Sequence, residues 1–317
     1  MKKITFLSFK LTAFFLAICF HAGFSQLSIT SSDFNYSISF DGTLDGVNND
    51  SIRGTGFNSS PSAGQFDSDA WAATGWSDGS MTFGELKTSG DYARGVASAP
   101  VTTGGFYGFK ATSSNFIFGI QPGGSDWAPG TLTLKLLNST GLTITSISVS
   151  YNIYVRNDQA RANSFNFSHS SDHVTYTNVA ELNYTSPAAS TGTDWIIVPK
   201  TTTITELSVL NGTNYFIRWS GADVSGSGSR DEFGLDNVVI NVTTEAGISN
   251  PSAFDALTVS TSQINLAWAL NSNSDEVMIA YNTEDIFGTP TGDYSVGNTI
   301  GGNGTVIYIG AGSSFYH

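Results

Sequence analysis

Several groups of residues in this chain have the types and spacing that chemistry requires. Gly75-Trp76-Ser77-Asp78-Gly79 has the G-x-S-x-G spacing in which a serine nucleophile is lifted above a strand-to-helix turn. Ser80-Met81-Thr82-Phe83 follows as turn and strand chemistry, so the helix that the motif needs is missing and a glycine-rich β loop is expected. A general base is also scarce, because beyond residue 25 the histidines are His169, His173 and His317. His169 and His173 are spaced H-x-x-x-H, which on a helix turns two zinc ligands to one side. Ser168 to His173 is hairpin chemistry instead, and Ser170 follows the first histidine where H-E-x-x-H has its glutamate base. Asp231, Glu232 and Asp236 form the densest carboxylate group, while Glu85, Glu181 and Glu206 stand alone. A glycosidase needs two carboxyls across the scissile bond, and spacing along the chain does not establish such a pair. No catalytic residue is assigned.

Binding chemistry is better represented. Sugars are held by aromatic rings that stack on pyranose C–H faces, flanked by a few hydrogen-bonding groups. Trp71, Trp76, Tyr107 and Trp127 lie in or beside loop-like stretches, with Arg94 and Asp126 nearby, and these six are the candidate ligand-binding residues. Each aromatic has an alternative role in the core, and Trp195 and Trp219, inside strand-like alternations, are expected there. Asp41 to Asp50 is rich in Asp, Asn and Gly, the hard oxygens and turn residues that calcium requires, but it lacks the EF-hand register.

The elements that must position these groups are strands. Ile147, Val149, Tyr151, Ile153 and Val155 alternate with Ser148, Ser150, Asn152 and Tyr154, a period of two. Similar alternation runs through 35–40, 105–110, 131–137, 194–199, 215–220 and 235–242, separated by Gly, Ser, Asn and Asp clusters. No sustained helical period occurs after the first 25 residues. The expectation is an all-β protein: a large jelly-roll β-sandwich over 27–244, then a new strand series over 249–317 that opens at Pro251.

Residues 1–25 read as a secretory signal peptide: Lys2, Lys3 and Lys10, an apolar run from Leu11 to Phe20, and small residues at the exit. The run is too short to span a bilayer, and no other long apolar run exists, so no membrane insertion is expected. Cleavage before Gln26 removes three lysines and the one cysteine, and deepens the net charge from −13 to about −16. Thiolate metal sites and disulfides are thereby excluded from the mature chain. A pI near 4.4 argues against nucleic acid as a partner, since phosphates demand a basic surface. The expected location is secreted, extracellular or at the cell surface.

Two resemblances extend this reading. Tyr215-Phe216-Ile217-Arg218-Trp219, then Gly226 to Glu232, then Phe233-Gly234-Leu235-Asp236-Asn237-Val238-Val239-Ile240 resemble the closing strand pair of galactose-binding-like jelly rolls. Phe165 to Tyr176 resembles a hairpin of secreted sandwich modules in which a serine-aspartate turn joins two strands; His173 stands where glycine is commoner, at a left-handed position. The resemblance implies a carbohydrate-binding module with a structural calcium (Ca2+), for which Asp236 is the candidate ligand and Asp41 its partner. Ile264-x-Leu266-x-Trp268 resembles the second strand of a fibronectin type III module, an immunoglobulin-like sandwich. The match covers 249–317 and lacks the last two strands, so a partial module of a longer product is expected. The arrangement resembles the front of multidomain proteins exported by the type IX secretion route.

These readings converge on a secreted, non-catalytic binding module for a polysaccharide or cell-surface glycan. Two alternatives stay open: an adhesion or structural spacer module, and the non-catalytic N-terminal part of a larger secreted nuclease or hydrolase.

Overall fold

The computed structural model describes residues 26–317 apart from Ala99, Ala246, Ile248, Ser249, Asp285, Phe287, Thr289, Thr291, Gly302 and Asn303. The expected signal peptide and Cys19 lie outside the described residues. The chain divides into two compact units between Thr244 and Glu245.

The first unit is a β-sandwich, and the period-two alternation explains it. In Ile144–Arg156, Ile147, Val149, Tyr151, Ile153 and Val155 are all buried, while Ser146, Ser148, Ser150 and Asn152 are less so. The same alternation buries Leu132, Leu134 and Leu136 from Gly130–Asn138, and Tyr215, Ile217 and Trp219 from Asn214–Gly221. Each such strand therefore has one apolar face to hide, and two sheets closing on one another hide them all. A large side chain fully buried in this way stabilises the fold by about 1.5–3 kcal/mol.

One sheet has eight strands, in the order Leu27–Ile29, Gly130–Asn138, Asn214–Gly221, Arg161–Ser170 and Thr177–Asn178. Trp71–Thr74 also pairs with Gly130–Asn138, and the short strands Tyr184–Thr185 and Asp223–Gly226 pair with Arg161–Ser170. The other sheet has seven: Ile196–Ile204, Ile144–Arg156, Glu232–Thr244, Phe116–Gln121, Gly105–Lys110 and Val96–Ala97, with Tyr36–Ile38 on Glu232–Thr244. From residue 130 onward the long strands alternate between the two sheets, the crossing pattern of a jelly roll. Tyr151 of the seven-stranded sheet meets Phe167 and Trp219 of the eight-stranded sheet at ring distances of 5.8 and 5.7 Å. A small third sheet, Asn48–Asn49, Gln65–Asp67 and Phe57–Asn58, closes one part of the core with Phe57 and Phe66.

Tyr107, Phe109, Ile117 and Tyr154 form a second apolar cluster with Trp195 and Val101. Gly119 and Gly234 make room for it: a Cβ at Gly119 would strike the Phe109 ring, and one at Gly234 would strike Ile117.

The second unit pairs Gln263–Ala269 with both Ser252–Ser260 and Ser314–Tyr316, and pairs Val277–Tyr281 with Thr305–Gly310. Leu266, Trp268 and Val277 form its buried centre, with Ile264 and Tyr308 packed beside them. The outer strand Ser252–Ser260 is exposed throughout, Phe254, Leu257 and Val259 included. No helix among the described residues is long and apolar enough to cross a membrane.

Candidate functional site

The structure places the expected sugar-stacking aromatics inside the protein. Trp71 and Trp127 are 0% exposed, and Trp76 and Tyr107 are also buried. Trp71 packs between Phe66, Phe118 and Trp219 and donates its indole N–H to the Val47 carbonyl at 3.1 Å. Trp76 and Trp127 lie 5.7 Å apart beside Phe106, and Tyr107 stacks on Phe109 at 5.0 Å in the second cluster. The expectation for Trp71, Trp76, Tyr107 and Trp127 is therefore corrected: a ring with neighbours on its faces has none left for a pyranose. Large apolar area drives these rings into the core even where the flanking residues read as loop.

Arg94 and Asp126 hold loops together instead of reaching for a ligand. Asp126 accepts the Ser77 backbone N–H at 2.8 Å. Asp91 accepts the Ser77 hydroxyl at 2.9 Å and the Asp78 N–H at 2.8 Å, and pairs with Arg94 at 2.6 Å. Arg94 also donates to the Gly104 carbonyl. The G-x-S-x-G segment is thus a carboxylate-tied loop whose serine hydroxyl faces an aspartate and no imidazole. Gly75 has φ +81° and a Cβ there would meet the backbone of Pro129, which accounts for the first glycine.

Both histidines are engaged by tyrosines. His169 Nδ1 lies 2.5 Å from the Tyr215 hydroxyl, and His173 Nδ1 lies 2.6 Å from that of Tyr176. Burial lowers the pKa of each, assisted at His173 by Arg218 and Lys135. His173 has φ +60°, the left-handed position expected in the serine-aspartate hairpin. The turn is built as that hairpin requires: Asp172 accepts from Val174 N, Thr175 N and the Ser170 hydroxyl, and Ser170 accepts from His173 N.

Among the carboxylates, Asp231 accepts from Gln159 N and Ser186, and Glu232 accepts from Val101 N. Asp236 is fully buried; its Oδ2 accepts from Asn115 and Asn237, and its Oδ1 has no partner. Asp41 accepts the Phe116 N–H at 2.7 Å, next to Asn115. Burial above all pushes Asp236 up to about 6, and the charge of Asp41 adds to the rise. The two aspartates named for calcium are therefore brought near one another. Among the described residues no group of three or more His, Cys, Asp or Glu is gathered as a metal site.

A different constellation occupies the outward face of the eight-stranded sheet. Because Leu132, Leu134, Ile217, Trp219, Phe165 and Phe167 point inward, Thr133, Lys135, Phe216, Arg218, Ser168 and Ser170 point out. Register sets Thr133 and Ser168 on either side of Arg218, and Lys135 and Ser170 on either side of Phe216. Two loops fold back over this face. The hairpin after Arg161–Ser170 delivers His173 and Tyr176, and the loop after Trp71–Thr74 delivers Phe83. The Arg218 guanidinium lies 3.4 Å from the centre of the Tyr176 ring and donates through Nε to the Thr133 hydroxyl at 3.0 Å. Lys135 Nζ lies over the Phe83 ring at 4.6 Å, and Phe83, His173 and Phe216 contact one another at 4.8–5.9 Å. Phe83, His173, Tyr176 and Arg218 are half-buried, so each keeps part of its surface in solvent. A cavity of about 420 Å³ is lined by Asp45, Asn48, Asn49 and Asp67 among others. Burial above all holds Asp67 up to about 6, against which the charge of Lys135 works.

Sequence reasoning passed over Phe83, Tyr176, Lys135 and Arg218. One signal lies in the sequence: in Tyr215 to Trp219 the alternation that turns Tyr215, Ile217 and Trp219 inward puts Phe216 and Arg218 together on the outer side, where Phe83 and His173 then cover Phe216.

No family model matches the chain, and no curated protein does. Among solved structures, the chain is similar to a non-crystalline cellulose specific carbohydrate-binding module (CBM28), at 17% identity over 41% of this chain and 76% of that one, with a TM-score of 0.28. It is also similar to the N-terminal CBM22-1 and GH10 modules of the Clostridium thermocellum endo-1,4-β-D-xylanase 10B crystallised with xylohexaose. There the identity is 11%, over 55% of this chain and 26% of that one, and the TM-score is 0.28. A third, the glycoside hydrolase domain of Endo-D from Streptococcus pneumoniae R6, is 10% identical over 64% of this chain and 28% of that one, with a TM-score of 0.23.

Proposed function

We propose that the chain is a secreted carbohydrate-binding module without catalytic machinery of its own, which holds a polysaccharide or cell-surface glycan along the outward face of its eight-stranded sheet. One observation carries this reading: the Tyr176, His173 and Phe83 rings stand beside Arg218 and Ser168 on one half-buried face, with the buried Thr133 hydroxyl holding Arg218 from beneath. Half-buried rings present apolar faces for sugar C–H groups, and hydroxyls and a guanidinium supply the directional partners that fix a sugar's orientation. The absence of catalysis is supported by the Ser77 hydroxyl donating to Asp91 and by Asp231 and Glu232 accepting backbone N–H groups.

The test is retention on a panel of insoluble polysaccharides and a glycan array, using the mature chain and the Phe83→Ala/Tyr176→Ala double variant. The variant is expected to lose at least about tenfold in affinity while keeping the parent's circular dichroism, the scale expected when stacking surface is removed from a binding site. Unchanged affinity in the folded variant would place the ligand elsewhere.

We also propose that a calcium ion binds at Asp236 with Asp41. The unpartnered Oδ1 of a fully buried carboxylate and the second acid near it fit a hard cation; the rest of a six- to eight-oxygen shell would come from carbonyls and water.

A further inference from the structure

Resting on the carbohydrate reading, we propose that the polymer is an acidic one, and that Arg218, with Lys135 beside it, binds the carboxylate or sulfate group of a charged sugar.

The first observation is how cations are matched elsewhere. Arg94 pairs with Asp91, and Arg161 and Arg230 both pair with Asp223, each at 2.6 Å. In a chain with twice as many acids as bases, such pairing is the expected fate of an arginine. Three arginines stand outside these pairs: Arg53 is exposed, Arg156 lies over the Trp195 ring and donates to the Thr193 carbonyl, and Arg218 is held against the sheet. Among the described residues no carboxylate lies within ion-pair distance of its guanidinium, although the side chain is half-buried on the sheet. Burial lowers its pKa, the direction expected of a cation whose water has been removed without an anion in exchange. Taking a charge out of water is costly unless a counter-charge is supplied, and no carboxylate of this face pairs with Arg218.

The second observation is that the guanidinium is held in place. The Tyr176 ring covers it at 3.4 Å, and the Thr133 hydroxyl accepts from Nε. With Nε engaged, the terminal nitrogens remain as the fork that grips two oxygens of a carboxylate or sulfate. A fixed, desolvated arginine beside rings suits a pyranose acid: the ring stacks and the acid group meets the fork.

The third is the second cation. Lys135 is opposite Phe216, two residues from Arg218 on the adjacent strand, so the two sit on a diagonal about 7–8 Å long. Lys135 is partly offset by Asp67 and Asp69, and Asp172 lies in the covering hairpin. Arg218 is therefore the principal anion contact and Lys135 the auxiliary one. Two cations on a strongly acidic chain are too few for a nucleic acid, which is attracted by an extended basic surface.

The experiment is isothermal titration of the mature chain, its Arg218→Gln variant and its Arg218→Lys variant against three kinds of soluble polymer. These are a uronate polymer such as polygalacturonate, a sulfated galactan, and neutral xylan and mixed-linkage glucan. A carboxyl-reduced form of the uronate polymer serves as the matched neutral control. The expected result is binding to a charged polymer, lost on carboxyl reduction or desulfation, weakened at least about tenfold by Arg218→Gln and less by Arg218→Lys. Binding to the uronate or to the sulfated polymer identifies the acid group. Equal affinity for neutral polymers, or no effect of Arg218→Gln in a variant with the parent's melting temperature, overturns the acidic specificity and leaves the carbohydrate reading standing. No binding to any of the polymers overturns both.

Discussion

Glu232 carries a burden that glutamine should relieve, and the effect has a definite pH signature. The residue is 1% exposed at the start of Glu232–Thr244. Its Oε1 accepts the Val101 N–H at 2.6 Å, while its Oε2 has no partner. Register sets Phe233 opposite Ile120, which puts Glu232 across from Gln121, whose own buried Oε1 also lacks a donor. Two acceptors without a donor on neighbouring strands favour a proton on the acid. Burial is the main cause of a pKa raised from 4.5 to about 7, against which the Val101 hydrogen bond works. In the unfolded chain this glutamate ionises near 4.5; in the folded chain it keeps its proton to about 7. The folded state thus binds more protons in that window, so stability falls as pH rises through it and stays lowered above it. At ~1.4 kcal/mol for each pH unit, the ceiling of this cost is about 3 kcal/mol, and relaxation around the site lowers it.

Glu232→Gln keeps the shape and the Val101 hydrogen bond, removes the charge, and provides an amide N–H for Gln121. For a unit of this size about 2–4 °C accompany each kcal/mol. Glu232→Gln is therefore expected to melt roughly 3–8 °C above the parent at pH 8 and within about a degree of it at pH 4.5. Differential scanning calorimetry of both proteins from pH 4.5 to 8.5 reads this directly. The difference between the proteins is the measure, because Asp67 and Asp236, also raised to about 6, tilt both profiles the same way. A variant that melts at or below the parent at pH 8, or gains equally at both ends, would refute the reasoning.

Two further outcomes follow from the same geometry. If calcium binds at Asp41 and Asp236, millimolar calcium should raise the melting temperature over that in chelator for the parent and not for Asp236→Asn; identical melting with and without chelator would rule the site out. Trp71→Ala should cost about 3–5 kcal/mol in urea unfolding, since it empties the space between Phe66, Phe118 and Trp219, and a loss under about 1 kcal/mol would contradict its place in the core.

Much of the fold is written locally. Period-two alternation depends only on the backbone, so the strands from Ile147 to Val155 and from Tyr215 to Trp219, and the side each residue takes, follow from order along the chain. The left-handed turn at His173 is local too, fixed by the adjacent Asp172 and by Ser170 three residues before it. Local pattern does not tell which aromatics beside loops are buried. Trp71 lies on the short strand Trp71–Thr74, whose partner Gly130–Asn138 is some sixty residues further on, and only that pairing buries it.

The sequence by itself determined an all-β chain, its outward polar and inward apolar faces, and an acidic composition unsuited to nucleic acid, because these depend on residue type and neighbours along the backbone. Tertiary structure decided where a ligand-binding face could form. Phe83, Lys135, Tyr176 and Arg218 are drawn from four separate segments, and they meet because the jelly-roll crossings place two strands side by side and two loops above them. Their chemistry arises from that meeting: the same arginine beside a carboxylate would be one more surface ion pair.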